Sequence, residues 1–481
     1  YGLGSKDTVP ADIVAAFENL ASATPKNGFT LAITDDVTNT SLPRGEQVDM
    51  LPAGTIQCKF WGLGSDGTVG ANKQAVDIIG TETDLYAQAY FSYDSKKSGG
   101  VTVSHLRFGA DPIKAPYLIN NADFISCSNQ AYVEIYDVLE GIKPGGTFLL
   151  NTVWTPEELS AKLPAAMKRT LAKNNINFYT INAVDIAAGL GLGNRTNMVM
   201  QAAFFKLSQV IPEETAVASL KRSIQKAYGR KGEKVVQMNN DAVDAGMKSI
   251  VKVDVPAEWA NAADECVCHG DEPAFIKNIM RPMEAQKGDS LPVSAFADAA
   301  DGTFPLNGTK YEKRGVAAFV PEWIKENCIQ CNQCAYVCPH ASIRPFLLTD
   351  EEVKAAPASF ETLKAVGKDL AGYSYRQQVS ALDCQGCGSC VVVCPAKEKA
   401  LVLKPLGTQE DQIKNWEYAV SLPVKDDVVA PSNVKNTQFQ QPLFEFSGAC
   451  AGCGETPYMK LITQLYGDRM MIANATGCSS I

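Results

Sequence analysis

Cys328-x2-Cys331-x2-Cys334-x3-Cys338-Pro339 and Cys384-x2-Cys387-x2-Cys390-x3-Cys394-Pro395 are two copies of one spacing, and they hold eight of the chain's 15 cysteines. Disulfide frameworks this dense belong mainly to small secreted domains, whereas 481 residues suggest roughly three domains. Thiols in this setting are expected to hold metal. Zinc knuckles use two pairs of ligands, not three cysteines at successive +3 steps followed by a fourth and a proline. The three histidines (His105, His269 and His340) are too few and too scattered for a His-based metal site or triad.

The doubled run is the bacterial-ferredoxin pattern, in which three closely spaced thiolates wrap three corners of a cubane and the fourth crosses to the other cluster. The expected ligand sets are Cys328, Cys331, Cys334 and Cys394 for one [4Fe–4S] cluster, and Cys384, Cys387, Cys390 and Cys338 for the other. Clusters built this way pass single electrons and have no catalytic face of their own. A further pair, Cys450 and Cys453, precedes Thr456-Pro457, read as an N-cap and first-turn proline. A helix to about Tyr466, a strand over 469–475 and an exit loop with Cys478 would return that thiol to the same sheet edge. A third cluster there needs a fourth ligand. It is either one of Cys58, Cys127, Cys266 and Cys268 or a residue after Ile481, and the second is expected.

Outward from the cysteines, 46% apolar and 20% charged residues are ordinary globular composition, and no apolar run approaches the ~18 residues of a membrane helix. A formal charge of −9 argues against a nucleic-acid-coating surface and suits a soluble, cytoplasmic enzyme. Residues 1–53 hold an amphipathic helix over 11–21 and a strand-like run at 29–33. Across 54–256 apolar runs alternate with helical patterns (55–61, 71–79, 85–91, 131–139, 147–150, 156–172), which predicts a mostly parallel sheet covered on both faces. Residues 257–320 read as a linker or small clamp, 321–405 as the cysteine-dense domain, 406–441 as a polar connector and 442–481 as a fresh α/β start.

Within the first α/β region, Gly62-Leu63-Gly64-Ser65-Asp66-Gly67 follows a strand and precedes a helix, the context in which glycines and a helix N-terminus approach a phosphate. The next strand ends at Asp94, Lys96 and Lys97. Asp94 would suit NAD, but the adjacent lysines favour an additional phosphate, so NADP or coenzyme A fits better. Tight packing with a solvated lysine pair is the plainer alternative. His105, on an alternating apolar run, reads as a packed residue, and Cys266-Val267-Cys268-His269 as a loop with incidental thiols. His340 has a structural role or tunes a cluster. Glu455 is the best-placed single carboxylate at the third cysteine site.

The chain resembles the pyruvate:ferredoxin (flavodoxin) oxidoreductase family along essentially its whole length. The matching stretches are Tyr1–Lys6, Phe60–Lys73, Tyr90–Gly100, Tyr311-Glu312-Lys313-Arg314-Gly315, the doubled cysteine run, and Cys450-Ala451-Gly452-Cys453-Gly454-Glu455. The resemblance implies a multidomain α/β chain. Its parts would be a parallel-sheet CoA-associated domain (54–256), a small Glu-Lys-Arg-motif linker domain (257–320), a 2[4Fe–4S] ferredoxin-like α+β domain (321–405) and, after the connector, the start of a thiamine diphosphate-binding α/β domain (442–481). Residues 1–53 would be the tail of an upstream domain.

By residue matching it also implies that Gly64, Ser65, Asp66, Gly67, Thr68 and Val69, with Lys96 and Lys97, contact CoA, and that Asn197 and Asn239 line the same site. Cys450, Cys453 and Cys478 would bind the cluster nearest thiamine diphosphate, with Glu455 and Cys478 beside the thiamine. The Mg²⁺ and diphosphate ligands, and the pyruvate-binding domain, would lie outside this span, which alone should not turn over pyruvate. The activity implied is CoA-dependent oxidative decarboxylation of pyruvate to acetyl-CoA and CO₂. Electrons would pass singly from thiamine diphosphate through three [4Fe–4S] clusters to ferredoxin or flavodoxin, in a homodimer. The alternatives are the same fold acting on another 2-oxoacid, a non-catalytic iron–sulfur electron-transfer subunit, or an NADP-linked reductase using the glycine loop.

Overall fold

The computed structural model describes residues 7–46, 48–64, 66–94, 96–97, 99–193, 195–264, 272–475 and 477. Two compact units divide the chain, Tyr1–Tyr93 with Val101–Gly308, and Asp94–Gly100 with Thr309–Ile481.

The first unit is built on seven strands: β1 Ile56–Leu63, β2 Tyr86–Tyr93, β3 Val101–Gly109, β4 Ala122–Cys127, β5 Ile142–Asn151, β6 Asn177–Ile181 and β7 Val251–Val253, in the order β2-β3-β1-β4-β5-β6-β7. Only β1, β4, β5 and β6 run parallel, while β3 is antiparallel to both β1 and β2, and β7 to β6. The sheet, expected to be mostly parallel, is a mixed one. The reason is chain length, since residues 94–100 are too few for a parallel crossover, which takes about a dozen or more residues, so β2 and β3 must form a hairpin.

Helices Thr68–Glu82, Asn197–Ser208, Glu213–Tyr228 and Glu233–Lys248 supply the apolar residues that pack with β1, β3 and β4. Phe204 meets Phe60 edge-on at 4.9 Å and Phe124 at 5.3 Å between ring centroids, the geometry favoured by aromatic quadrupoles. The expected helix over 156–172 is broken into Pro156–Lys162 and Ala165–Lys173, because Pro164 has no N–H to continue the ladder. In 131–139 only Tyr132–Ile135 is helical.

Near the N-terminus the helix Pro10–Ala21 forms as read. Its first turn is closed by Asp12, which accepts from the Val9 N–H at 3.1 Å and pairs with Arg44 Nε at 2.7 Å. The run at 29–33 is not a strand, since only a single bridge, Leu31 to Leu42, forms there. After β7 the unit continues as short helical turns, including Ala257–Asn261, Ile276–Met280 and Val293–Ala299.

The second unit has two small antiparallel sheets. One pairs β8 (Phe319–Trp323) with β12 (Leu401–Pro405), and the other orders β10 (Leu363–Lys364), β11 (Ser374–Val379) and β9 (Ile343–Leu348) as β10-β11-β9. Trp323, Ile343, Leu347, Tyr375, Val379 and Leu401 form its core. The connector 406–441 is more ordered than its polarity suggests, for Glu410–Ser421 is a helix that buries Asn415, Trp416 and Ala419.

Helix Thr456–Tyr466 spans the expected residues, with two corrections. Thr456 is the first helical residue rather than the cap, and its buried Oγ1 has no hydrogen-bond partner among the described residues. No strand follows at 469–475, because no bridge pairs these residues with a neighbour and an unpaired segment has no ladder to define it. Among the described residues no helix is long and apolar enough to cross a membrane.

Candidate metal centre and ligand loops

Each cysteine run supplies three thiols to its own hollow and the fourth to the other. Cys328, Cys331, Cys334 and Cys394 line one, and Cys384, Cys387, Cys390 and Cys338 line the other. The short helices Gln333–Tyr336 and Ser389–Val393 carry the third cysteine of each run, and the chain leaves each helix towards the opposite hollow. All twelve described cysteines are free.

Three C-x-x-C loops share one backbone device. The residue before the second cysteine is left-handed in each, at Gln330 (φ 56°), Gly386 (φ 67°) and Gly452 (φ 72°). Asn332 (φ 57°) and Gly388 (φ 74°) repeat it one residue past the second cysteine of the two ferredoxin-type runs. Where the residue is not glycine, side-chain bonds hold the unfavourable conformation. Gln330 donates to Lys364 O at 2.8 Å and accepts from Val366 N at 2.9 Å, while Asn332 donates to Lys435 O and accepts from the Tyr375 hydroxyl, both at 2.8 Å. The turns aim amides at sulfur, with Gly386 N–H on Cys384 Sγ and Glu455 N–H on Cys453 Sγ at 3.4 Å, and Ser342 N–H on Cys338 Sγ at 3.3 Å. Such bonds help set cluster potentials.

Burial pushes the Cys334, Cys384 and Cys390 thiols up, Cys384 to about 12, and neighbouring thiols add to the effect. Among the described residues no three His, Cys, Asp or Glu side chains converge on a single-ion position. Zinc bonds of about 2.3 Å would require sulfurs roughly 3.8 Å apart. Four thiols spread around a hollow, with amides on the sulfurs, suit a cubane instead.

The Cys450 loop lies against the second hollow. A Cβ on Gly452 would sit 3.6 Å from Ser389 Oγ and 3.7 Å from Cys387 Cβ. His340 lines this hollow, and its Nε2 lies 3.0 Å from Ala449 O. A carbonyl only accepts, so Nε2 carries the proton, and burial lowers the ring's pKa and keeps it neutral. Desolvation and the neighbouring Glu455 carboxylate raise the Tyr458 phenol pKa. Cys478, like Cys266, Cys268 and His269, lies outside the described residues. Cys58 and Cys127 are ordinary buried thiols of the first unit, the latter raised to about 12 chiefly by burial and donating to Asn129 O at 3.2 Å.

The glycine loop has the expected strand–turn–helix setting, but part of its N–H array is already used. The half-buried Asp66 carboxylate accepts from Leu63 N (2.9 Å), Thr68 N (2.7 Å), Thr68 Oγ1 (2.8 Å) and Ser128 Oγ (3.0 Å). Gly62 is required by close approach, since a Cβ would lie 2.7 Å from that of Thr68. Gly67 is left-handed at φ 91° and faces the Asn197 side chain, at 3.1 Å from its added Cβ. Asn239 is buried and donates to Val235 O of its own helix at 2.8 Å. Ser65 lies outside the described residues. His105 is packed as expected, with Nδ1 accepting from Ile119 N at 3.1 Å and burial lowering its pKa to about 3.

Loop 94–100 belongs to the second unit through the Glu-Lys-Arg triplet. Lys96 Nζ pairs with Glu312 at 3.0 Å, Arg314 donates to Gly99 O, and Lys313 pairs with Asp383, the neighbour of Cys384. Lys97 N–H donates to Gly448 O at 2.7 Å. The spacing of residues 312–314 carries no sign of these partners. The buried, polar Lys460 was also missed, though Thr456, Lys460 and Gln464 at i, i+4, i+8 mark one polar helix face.

Family models match three stretches of the chain: pyruvate ferredoxin/flavodoxin oxidoreductase at residues 57–249, a domain of unknown function at 262–317, and a 4Fe-4S double cluster binding domain at 327–397. The chain is 60% identical to the pyruvate-flavodoxin oxidoreductase of Enterobacter agglomerans over 482 aligned residues, and 57% identical to the pyruvate:ferredoxin oxidoreductase of Moorella thermoacetica over 483. Each match covers 100% of this chain and 41% of the relative. A mitochondrial pyruvate dehydrogenase [NADP(+)] of Euglena gracilis is 53% identical and is covered over 27% of its length. The chain thus spans about two fifths of the length of the two bacterial relatives, is similar to them from end to end, and carries a stretch matching the pyruvate ferredoxin/flavodoxin oxidoreductase model and one matching the 4Fe-4S double cluster binding model.

Proposed function

We propose that the chain is the electron-relay and coenzyme A-associated portion of an enzyme that oxidatively decarboxylates pyruvate with CoA to acetyl-CoA and CO₂, passing single electrons to ferredoxin or flavodoxin. The observation that carries this reading is the pair of four-thiol hollows with exchanged fourth cysteines, one of them abutting the Cys450 loop. In this reading Cys328, Cys331, Cys334 and Cys394 ligate one [4Fe–4S] cluster, Cys384, Cys387, Cys390 and Cys338 a second, and Cys450, Cys453 and Cys478 a third. Thiamine diphosphate with Mg²⁺, when bound, supplies the carbanion stabilisation that decarboxylation needs.

This chain's own residues position and insulate. Gly452 lets the Cys450 loop approach Cys387 and Ser389, so of the two ferredoxin-type clusters the one held by the Cys384 set would lie next to the Cys450 loop. His340 fixes that approach through Ala449 O and adds no charge beside it. Glu455 is the carboxylate that would stand beside the thiamine. Gly64–Val69, Lys96, Lys97, Asn197 and Asn239 are the proposed CoA contacts. A phosphate at Lys96 would compete with Glu312, and one at the glycine loop would use amides other than those held by Asp66. Residues 54–256, 257–320, 321–405 and 442–481 are the corresponding CoA-associated, Glu-Lys-Arg, two-cluster and thiamine-side segments of a cytoplasmic protein.

Iron and acid-labile sulfide per chain, measured anaerobically on the complete polypeptide that carries these residues, test the reading. About twelve of each, with magnetically coupled reduced clusters and pyruvate- and CoA-dependent reduction of ferredoxin or flavodoxin, are expected. About eight irons would mean that Cys450, Cys453 and Cys478 hold no cluster.

A further inference from the structure

Lys460 lies on helix Thr456–Tyr466 and is 2% exposed. Its ammonium donates to three backbone carbonyls, those of Ala335, Tyr336 (3.2 Å) and Cys338 (3.4 Å). These carbonyls belong to the segment that runs from Cys334, at one hollow, to Cys338, at the other. No carboxylate pairs with Lys460 among the described residues. Arg344, whose charge also acts on Lys460, has its own carboxylate in Glu445. A buried ammonium solvated only by carbonyl dipoles is costly unless an opposite charge stands nearby. The groups that fill this role are the thiolate ligands on either side.

We propose that Lys460 is the fixed counter-charge of the two ferredoxin-type clusters, held between Cys334 and Cys338 so that it raises their reduction potentials. The inference rests on the two-cluster reading above. Each added electron makes a cluster more negative, so a cation at this position stabilises the reduced state more than the oxidised one. Its placement on the helix that follows Cys450 and Cys453 means that the segment presenting the third pair of cysteines also supplies this charge.

The test is a redox titration followed by EPR on the iron-loaded complete polypeptide, comparing the parent with Lys460→Arg, Lys460→Gln and Lys460→Met. In the neutral variants the reduced-to-oxidised ratio of the ferredoxin-type clusters, at fixed potential, is expected to fall at least about tenfold, equivalent to 59 mV for a one-electron couple. Lys460→Arg keeps charge and donors and should stay within about threefold of the parent. If Gln and Met fail to load iron while Arg loads fully, the charge is again required. Parent-like potentials in a loaded neutral variant overturn the proposal, as does loss of iron in all three variants, which would make Lys460 a matter of shape. A parent that itself lacks the eight irons would instead refute the two-cluster reading.

Discussion

Replacing Cys338 and Cys384 together by alanine removes two thiols from one hollow and none from the other, whereas replacing Cys334 and Cys338 removes one from each. The arithmetic is fixed by the exchange of fourth ligands. A ferredoxin-type cubane is held by four cysteine thiolates, one on each iron. The Cys338→Ala/Cys384→Ala protein keeps one complete set, Cys328, Cys331, Cys334 and Cys394, and should lose about four irons relative to the parent. The Cys334→Ala/Cys338→Ala protein keeps three thiols at each hollow and should retain neither ferredoxin-type cubane intact. Anaerobic iron and sulfide analysis gives the stoichiometry. EPR of the reduced proteins distinguishes one surviving cubane of the pair from two damaged ones, and Cys58→Ala, in the first unit's core, serves as the control that loses no iron. If the Cys334/Cys338 protein keeps an intact ferredoxin-type cubane and the Cys338/Cys384 protein keeps none, each contiguous run serves its own cluster. The assignment made from the hollows would then be wrong.

His105 makes the first unit acid-sensitive. Burial, then the nearby charges of Lys59 and Arg107, lower its pKa from the ordinary 6.5 to about 3. A lowered folded-state value gives stability that is present above about 6.5 and lost as pH falls towards 3. At pH 5 the loss is about 2 kcal/mol (roughly 1.5 pH units at 1.36 kcal/mol each). Denaturant unfolding at pH 7 and pH 5 should show that much more loss in the parent than in His105→Gln, and equal losses would sink the explanation. Two glycines near the start of helix Thr68–Glu82 should respond oppositely to alanine. Gly67→Ala forces a left-handed Cβ towards Asn197 and should cost about 1–2 kcal/mol, while Gly70, with open space around it, should gain about 0.5–1 kcal/mol. Paired thermal melts read both changes, and a stabilised Gly67→Ala would contradict the backbone argument.

Much of the site was legible in the spacing of cysteines, because a cubane imposes its ligand separations on the local chain. The +3 steps, the +4 step and the prolines are short-range requirements, and short-range requirements are written contiguously. The glycine loop was legible for a similar reason, since a tight strand–turn–helix connection needs glycine at Gly62 and Gly67 wherever it occurs. Asp66 was not. Its carboxylate takes the amides of Leu63 and Thr68, which the motif alone assigns to a phosphate, and it gains a further bond from Ser128, 62 residues away.

The sequence by itself determined the two cysteine runs, the helices at Pro10–Ala21 and Thr456–Tyr466, and the expectation that Cys338 and Cys394 line the hollow of the opposite run, all through local spacing and contiguous motifs. Only the tertiary structure decided that the sheet is mixed, that loop 94–100 is held by Glu312 and Arg314 within the cysteine-bearing unit, and that 469–475 forms no strand. It alone placed Lys460 between the two hollows, on a helix that buries Thr456, Lys460 and Gln464 and exposes Tyr458, Ile462 and Tyr466. Hydrophobic periodicity reports which face a helix would bury in the absence of specific partners. Three carbonyls turn Lys460 inward, and they lie more than a hundred residues away along the chain.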